Sequence, residues 1–485
     1  MEFKENEHMM EFKTNEHENK GLYDISLVQI NSETPEMEAF KSIKISFFNN
    51  LVVSLSKLII ATNLILLGHM KYEKKVDYEL FMTYQIGVYV LIILGKFFIT
   101  GILKYLFEDK EEMEELYNLY IKIKTILIFL IPIIILPTCL YSYYIIELLL
   151  IYGLDIHDQT LNKKVYFQFL LYTPVIYLFE LLFILNLQFL HYQQKKTRDV
   201  FLYIIFFIIS HITLSFILLY LLKFDLYGLT ISYFVNTFLF YLFSNRYIRK
   251  LCIETSDNFF IIPNKDNFTS ELFDLLKEKS YKSLINIADF FYVYFLFLIT
   301  LFTDKKQLII NIIYLNFYIL VNSINKGFYF TLKRHISTKI EEMDFRQKYV
   351  KAFSFYFIIL CLSLFIVLLI FTNILLNLYL YEGGDQVLQK ISHQLRIIFP
   401  LCILITSIKM LLNGIVRGMK ATPISLTKKA IYYIICIIIC LLLCFYYNYG
   451  IFGLWITTFI LSLLIIFETT IKQINYLKQF LYIGP

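Results

Sequence analysis

The sequence predicts an all-α polytopic membrane protein: twelve transmembrane helices in two pseudo-symmetric six-helix lobes. Three observations predict it. Hydrophobic residues make up 58% of the 485 and charged residues 17%, against roughly 25% charged in an ordinary soluble domain. The apolar residues come in runs of about 20 or more, the length that crosses the hydrocarbon core of a bilayer. The second half of the chain also repeats landmarks of the first at a nearly constant offset. Strand-period alternation is absent from the runs, so they read as helices and not as a barrel. A soluble globular domain, a secreted disulfide scaffold and a wholly disordered chain are excluded by composition alone.

Taken in order, residues 1–42 are polar and acid-rich, and Met1-Glu2-Phe3-Lys4-Glu5-Asn6-Glu7-His8 returns as Met10-Glu11-Phe12-Lys13-Thr14-Asn15-Glu16-His17. Such low complexity predicts a disordered cytosolic tail with no cleavable signal peptide. Apolar segments follow at about 43–68, 78–104, 119–148, 164–190, 199–223, 226–248, 280–302, 307–332, 350–381, 391–417, 424–447 and 450–475. The third and ninth are long enough to tilt or to carry a break. The N-terminal lobe is therefore 43–250, a cytosolic loop 251–279 joins it to a C-terminal lobe at 280–475, and 476–485 form a second tail. Lys195, Lys196 and Arg198 make one basic cluster; Arg246, Arg249, Lys250, Lys265, Lys277, Lys279 and Lys282 make another. By the positive-inside rule these loops are cytosolic, with roughly 22 Lys/Arg on that side against roughly nine opposite. An even number of crossings then leaves both termini in the cytosol, in a plasma or vacuolar membrane.

The repeat carries Lys195-Lys196-Thr197 onto Lys420-Ala421-Thr422 at an offset of 225 residues. The same offset carries Gly228-Leu229-Thr230-Ile231-Ser232-Tyr233-Phe234 onto Gly453-Leu454-Trp455-Ile456-Thr457-Thr458-Phe459. Upstream, Pro174 matches Pro400, Asp158-Gln159 matches Asp385-Gln386, and Glu111-Glu112-Met113 matches Glu341-Glu342-Met343. Six is even, so both halves enter from the same side and the repeat is parallel. That arrangement is one used by transporters, in which two bundles rock about a central site.

Several of these residues resemble a known family, the multidrug and toxic compound extrusion (MATE) transporters, over about residues 43–475. Leu67-Gly68-His69 looks like the family's Gly-His step after helix 1. The run from Pro174 through Leu190 and Gln193 to Thr197 is similar to its passage from helix 4 into helix 5. Asn413-Gly414-Ile415-Val416-Arg417-Gly418 resembles the Gly-x-x-Arg-Gly signature ending helix 10, and Gly450 with Gly453-Leu454-Trp455 resembles the start of helix 12. The chain departs from the family at the end of helix 2, where only Gly101 remains of its pattern. The helix 1 aspartate of prokaryotic members falls on Asn63, which cannot titrate, and the helix 10 carboxylate of eukaryotic members falls near Thr406. The helix 7 glutamate of eukaryotic members lands on Asp289-Phe290-Phe291. The resemblance thus implies a coupling site in the C-terminal lobe.

Read from the residues themselves, mechanism belongs to ionisable groups at bilayer depth, each of which is costly there unless paired or in a wet cavity. Asp289, with Asn286 one turn before it, is the main ion-coupling candidate; a carboxylate in a low-dielectric site takes up and releases a proton, and a cation competing for it makes the two exclusive. Glu180 is the second coupling candidate. Lys57, Lys96 and Lys409 also lie inside apolar runs, and Lys57 facing the cavity would pair with Asp289 or Glu180 and favour an anionic cargo instead. Asn311, Asn316, Asn322, Asn325 and Lys326 punctuate the eighth segment, as glue between helices or as a polar path. Lys57, Asn63, Lys409, Asn322 and Asn286 complete the set of cavity or pairing candidates. His191 and His211 stand alone in sequence and read as packing residues. So do Cys436, Cys440 and Cys444, which share one helix face.

No Gly-x-Ser-x-Gly, Walker loop or His-Glu-x-x-His occurs. The expectation is a non-enzyme without metal or cofactor, a monomer in the bilayer with no nucleic-acid partner. It is expected to export an organic cation or xenobiotic in exchange for protons or sodium by alternating access. The alternatives are a lipid-linked oligosaccharide flippase of the same superfamily, which would use Lys57 and Lys409, and a membrane enzyme or non-transporting receptor.

Overall fold

The computed structural model describes residues 34–69, 71–72, 75–76, 117–129, 133, 173–194, 197–251, 270, 273–274, 276–277, 292, 295, 298–338, 343–381, 386–419 and 424–472. Asp289, Asn286 and Lys96 fall outside them, as does the side chain of Lys57. Among the described residues, seven helices are long and apolar enough to cross a membrane.

Helix α1 (Pro35–Gly68) begins earlier than the apolar run, inside the stretch expected to be tail. Local chemistry accounts for it. Pro35 presets φ at the first helical position, and Glu36 and Glu38 meet the positive end of the helix dipole. After Gly68 comes a short antiparallel ladder, β1 (Lys71–Tyr72) with β2 (Lys75–Val76). The N-terminal lobe continues with α2 (117–129), α3 (Thr173–Gln194), α4 (Thr197–Phe216) and α5 (Asp225–Leu251). The C-terminal lobe contains α6 (Lys305–Thr338), α7 (Met343–Ile370), α8 (Thr372–Tyr379), α9 (Gln386–Gln394), α10 (Ile398–Gly418), α11 (Leu426–Leu441) and α12 (Gly450–Lys472). The ninth predicted segment does break, at Phe371 between α7 and α8. The tenth is also divided, by a turn at 395–397 between α9 and α10, which the apolar run does not reveal.

The sequence repeat is a structural repeat in detail. Helix α4 ends in a wide π turn at Ile217–Leu221, and α11 ends in one at Leu442–Tyr446, 225 residues on. Lys223 then turns the chain with φ 55°, and Asn448 does so with φ 56°. Leu222 N–H donates to the Ile217 carbonyl at 3.0 Å, and Tyr447 N–H to that of Leu442 at 3.0 Å. Gly228 and Gly453 sit at the same point of the next helix, where a Cβ would meet Leu218 Cβ at 3.1 Å and Leu443 Cβ at 2.8 Å respectively. Glycine is what lets each helix fold back so closely on the break before it.

Helix α6 is the centre of the C-terminal lobe, with 72% of its apolar window buried against 22% for α7 and for α11, which turn broad apolar faces outward. Helix α10 approaches it through two glycines one turn apart. A Cβ on Gly414 would lie 3.2 Å from the Tyr329 carbonyl oxygen, and one on Gly418 would lie 2.6 Å from Ile336 Cβ. Small residues at this spacing are how helices pack closely where lipid supplies no hydrophobic drive.

Helix α1 belongs to both lobes. Ile59 packs into the core of α2–α5. Its neighbours Ile60, Ala61, Leu64 and Leu67 join the core of the C-terminal lobe, and Ala39 packs with Phe328, Leu332 and Tyr349 at the other end of the helix. A seam between the two bundles therefore runs the length of one helix.

Candidate functional site

Among the described residues, polar side chains buried between apolar helices gather in three places. In the N-terminal lobe, His211 of α4 is 1% exposed. Its Nε2 lies 2.7 Å from Asn63 Oδ1 on α1, and its Nδ1 lies 3.1 Å from Ser232 Oγ on α5. Ser232 continues to Ser215 Oγ at 2.7 Å. At the repeat-related positions of the C-terminal lobe stand Cys436, Cys440 and Thr457, where Cys440 Sγ lies 3.7 Å from Cys444 Sγ and Thr457 donates to the Gly453 carbonyl at 2.8 Å. Glu180 is buried on α3. Phe183 stacks on Phe207 at 5.3 Å; Glu180 and His211 each follow one turn outward of that stack on their antiparallel helices, which puts them at one level.

Nearer the ends of α3 and α5 lies a second network that the sequence reading passed over. Lys124 of α2 is 2% exposed. Its ammonium donates to Asn245 Oδ1 at 2.5 Å and to Tyr120 Oη at 3.3 Å, and lies 5.6 Å from the centre of the Tyr241 ring. Tyr120 donates to Asn186 Oδ1 at 2.7 Å, and Asn186 Nδ2 donates to Ser244 Oγ at 2.8 Å. The signal was there, a lysine five residues into the third apolar segment, of the same kind that marked Lys96 and Lys409.

In the C-terminal lobe a narrow cavity of about 30 Å³ is lined by Tyr292, Tyr318, Asn322, Lys326, Lys409 and Tyr433, among others. That volume holds a water and no organic ion. Tyr292 and Tyr433 stack at 5.0 Å. Tyr318 Oη and Thr406 Oγ1 are 3.1 Å apart, and Thr406 reaches Ser462 at 3.3 Å. Two of the predicted candidates, Asn322 and Lys409, thus meet here. Asn63 and Glu180 belong to the opposite lobe. The other asparagines of α6 act as glue: Asn311 donates to Thr300 Oγ1 at 3.1 Å, Asn325 to Ser407 Oγ at 2.8 Å, and Asn316 to the Ile312 carbonyl of its own helix at 2.8 Å. Cys436, Cys440 and Cys444 are all buried, as packing residues are.

Between the lobes, α1 is tied to the C-terminal bundle at both ends. At one end Ser46 donates to Thr331 Oγ1 at 2.5 Å, Ser42 Oγ lies 3.3 Å from His335 Nε2, and Glu38 lies 3.6 Å from His335 Nδ1. At the other, Gly68 meets the backbone of Tyr379 so closely that a Cβ would sit 1.8 Å from its carbonyl oxygen, and His69 Nε2 is 3.1 Å from the Leu378 carbonyl.

No protein-family model matches the sequence, and no curated protein matches it. The fold does match. A eukaryotic MATE transporter, AtDTX14, superposes with a TM-score of 0.70 over 92% of this chain and 98% of its own, at 14% identity. The chain has the MATE fold. The lipid II flippase MurJ in an inward closed conformation matches at a TM-score of 0.60, with 17% identity and 90% of each chain covered. A MOP-superfamily transporter from Pyrococcus furiosus, described as having a binding pocket of reversed polarity that suggests a different function, matches at 0.58, with 13% identity over 92% of this chain and 97% of its own. The MATE fold places the polar clusters inside two lobes and α1 on the seam between them. The glycines of the sequence signatures do structural work in it: Gly414 and Gly418 seat α10 on α6, and Gly453 seats α12 against the π turn before it.

Proposed function

We propose that this chain is a secondary active transporter that carries an amphipathic organic ion across the membrane by alternating access, driven by a proton gradient. The observation that supports it is the duplicated pair of lobes joined along one helix. Rocking of the lobes would exchange the contacts that α1 makes with α6 and α8.

Lys326 and Lys409 border the C-lobe cavity together with its tyrosines. The cavity as it stands admits a water, so cargo would enter it only as the lobes rock and it widens. A carboxylate- or phosphate-bearing amphiphile is the cargo that two ammonium groups with aromatic surface would take. The second reading, export of an organic cation against protons through Asp289, is favoured by the match to a MATE transporter. In either reading the membrane is the plasma or vacuolar membrane, with both termini cytosolic.

Proteoliposomes with an imposed pH gradient test both. Uptake of a fluorescent acyl phosphate probe that follows the gradient and falls at least tenfold in Lys409→Gln supports the anionic cargo. Transport of ethidium that follows the gradient and collapses in Asp289→Asn supports the cationic one. Gradient-independent behaviour of both probes in folded protein would remove the transporter reading.

A further inference from the structure

We propose that the groove between α4 and α5, on the lipid-facing side of the N-terminal lobe, binds an anionic phospholipid, with Arg246 as the residue that takes its phosphate. The groove has a volume of about 510 Å³ and is lined by Tyr203, Phe206, Phe240, Phe243, Arg246 and Tyr247, among others. That is within the range of ~300–1,000 Å³ found for small-molecule sites. Its two ends differ in chemistry. Arg246 and Tyr247 stand in the last turn of the apolar span Leu226–Ile248, and Tyr203 in the first turn of the span Leu202–Leu221. The Tyr203 and Tyr247 ring centres are 5.9 Å apart. This is headgroup depth, where phenol and guanidinium groups are at home. Phe243 and Phe240 follow along α5, reaching about 9 Å further into the membrane than Arg246. Phe206 and Phe243 are 60% and 55% exposed, so the deeper part is aromatic surface open to hydrocarbon. From boundary to interior the groove offers a cation and then a seat for an acyl chain, the order in which a phospholipid presents its own two halves.

The repeat supplies a comparison within the same molecule. At the offset of 225, Tyr203 becomes Lys428, Phe243 becomes Glu468 and Arg246 becomes Ile471. In the C-terminal lobe Lys428 Nζ donates to Glu468 Oε1 at 2.6 Å, and Tyr432 donates to Glu468 Oε2 at 3.2 Å. Helices α11 and α12 thus bridge their crevice with charges from the protein itself. In the N-terminal lobe the same place is aromatic, and the Arg246 guanidinium has no ion-pair partner among the described residues. Phosphate oxygens complement a guanidinium in charge and in geometry. The basic residues Lys195, Lys196, Arg198, Arg249 and Lys250 lie close by in sequence, at the ends of α4 and α5 expected to face the cytosol. Basic pockets between membrane helices on that side take anionic headgroups.

The site is independent of what the protein carries, and its test reads binding without transport. The full-length protein is reconstituted in phosphatidylcholine bilayers with a trace of phosphatidylserine bearing a diazirine on one acyl chain. After illumination, mass spectrometry locates the labelled residues; phosphatidylcholine with the same diazirine chain is the reference. Labelling at Phe206, Phe240 or Phe243 should exceed the reference by about fivefold, the effect of one basic residue at an anionic surface. The excess should vanish in Arg246→Gln, a change at an exposed side chain that leaves the packing alone. It should also vanish in the double variant Tyr203→Lys with Phe243→Glu, which writes the ion pair of the other lobe into this groove while keeping Arg246. Lys409→Gln, in the C-lobe cavity, should label as the wild type does; a loss there would trace the lipid to the cargo path and overturn a separate site. Equal labelling by the two lipids overturns the proposal, and so does an excess that survives either groove variant.

Discussion

Lys124 shows what a single buried charge demands of its neighbours. Its ammonium is held by an amide oxygen, a phenol and two aromatic faces, on two helices of one lobe. Removing the charge and removing its partner are not equivalent. Lys124→Met replaces the lysine by an apolar side chain of comparable length, while Asn245→Leu takes the shortest contact from a lysine that stays buried. We expect Asn245→Leu to be the more destabilising of the two, by about 1–3 kcal/mol, the penalty of a buried polar group deprived of a partner. Thermal unfolding in detergent, followed by the fluorescence of the buried Trp455, measures it; equal losses would show that the network is not organised around the ammonium. His211 makes the related point about reading residues one at a time. In sequence it stands alone among apolar residues, and only α1 and α5 folding against it supply Asn63 and Ser232.

Among the elements, α1 is the one on which the mechanism turns. Its polar ties to α6, Ser46 with Thr331 and Ser42 with His335, lie at one end, and the Gly68 contact with α8 lies at the other. Alternating access cannot keep both ends closed throughout the cycle. Cysteines at Ser46 and Thr331, whose hydroxyls already touch, should form a disulfide on oxidation. Transport should then fall at least tenfold and return on reduction, while either single cysteine leaves it unchanged. Transport that persists with the disulfide formed would mean that this end of the seam does not open. The paired helix breaks carry a lesson of the same scale. Lys223 and Asn448 occupy left-handed backbone at equivalent places, and only asparagine is suited to it. The position was kept through the duplication even where the residue that suits it was not.

For the whole molecule, orientation is the open consequence of charge. By the positive-inside rule we expect residues 195–198 on the cytosolic side, and the β1–β2 ladder after the first crossing on the opposite face. A membrane-impermeant maleimide should therefore label Lys196→Cys only after the membrane is opened, and Tyr72→Cys in intact cells. Labelling of both from one side would overturn the topology. The five cysteines among the described residues are buried, and the labelling is run in a background with Cys139 and Cys252 replaced by serine.

The fold was legible in the sequence, because a bilayer permits so few solutions. Spans must be helical and about 20 residues long, so length and apolarity locate them. A duplicated chain also keeps its landmarks in register, and the 225-residue offset of Gly228 and Gly453 returned as the same π turn and the same left-handed residue. The helix ends were less legible: α1 starts at Pro35 and α9 parts from α10 because capping and turn geometry, not apolarity, decide them. Lys409 and Asn322 could be named as candidates from their cost in lipid alone, but that they share one cavity with Lys326 and three tyrosines is a matter of how α6 and α10 are rotated about their axes. Depth in the membrane is a property of position along the chain, so the sequence by itself determined the helices, their doubling and the depth of their polar residues. Direction around a helix is set by its neighbours. The tertiary structure alone therefore decided that Asn63 meets His211, that Lys124 meets Asn245, and that one helix joins both lobes.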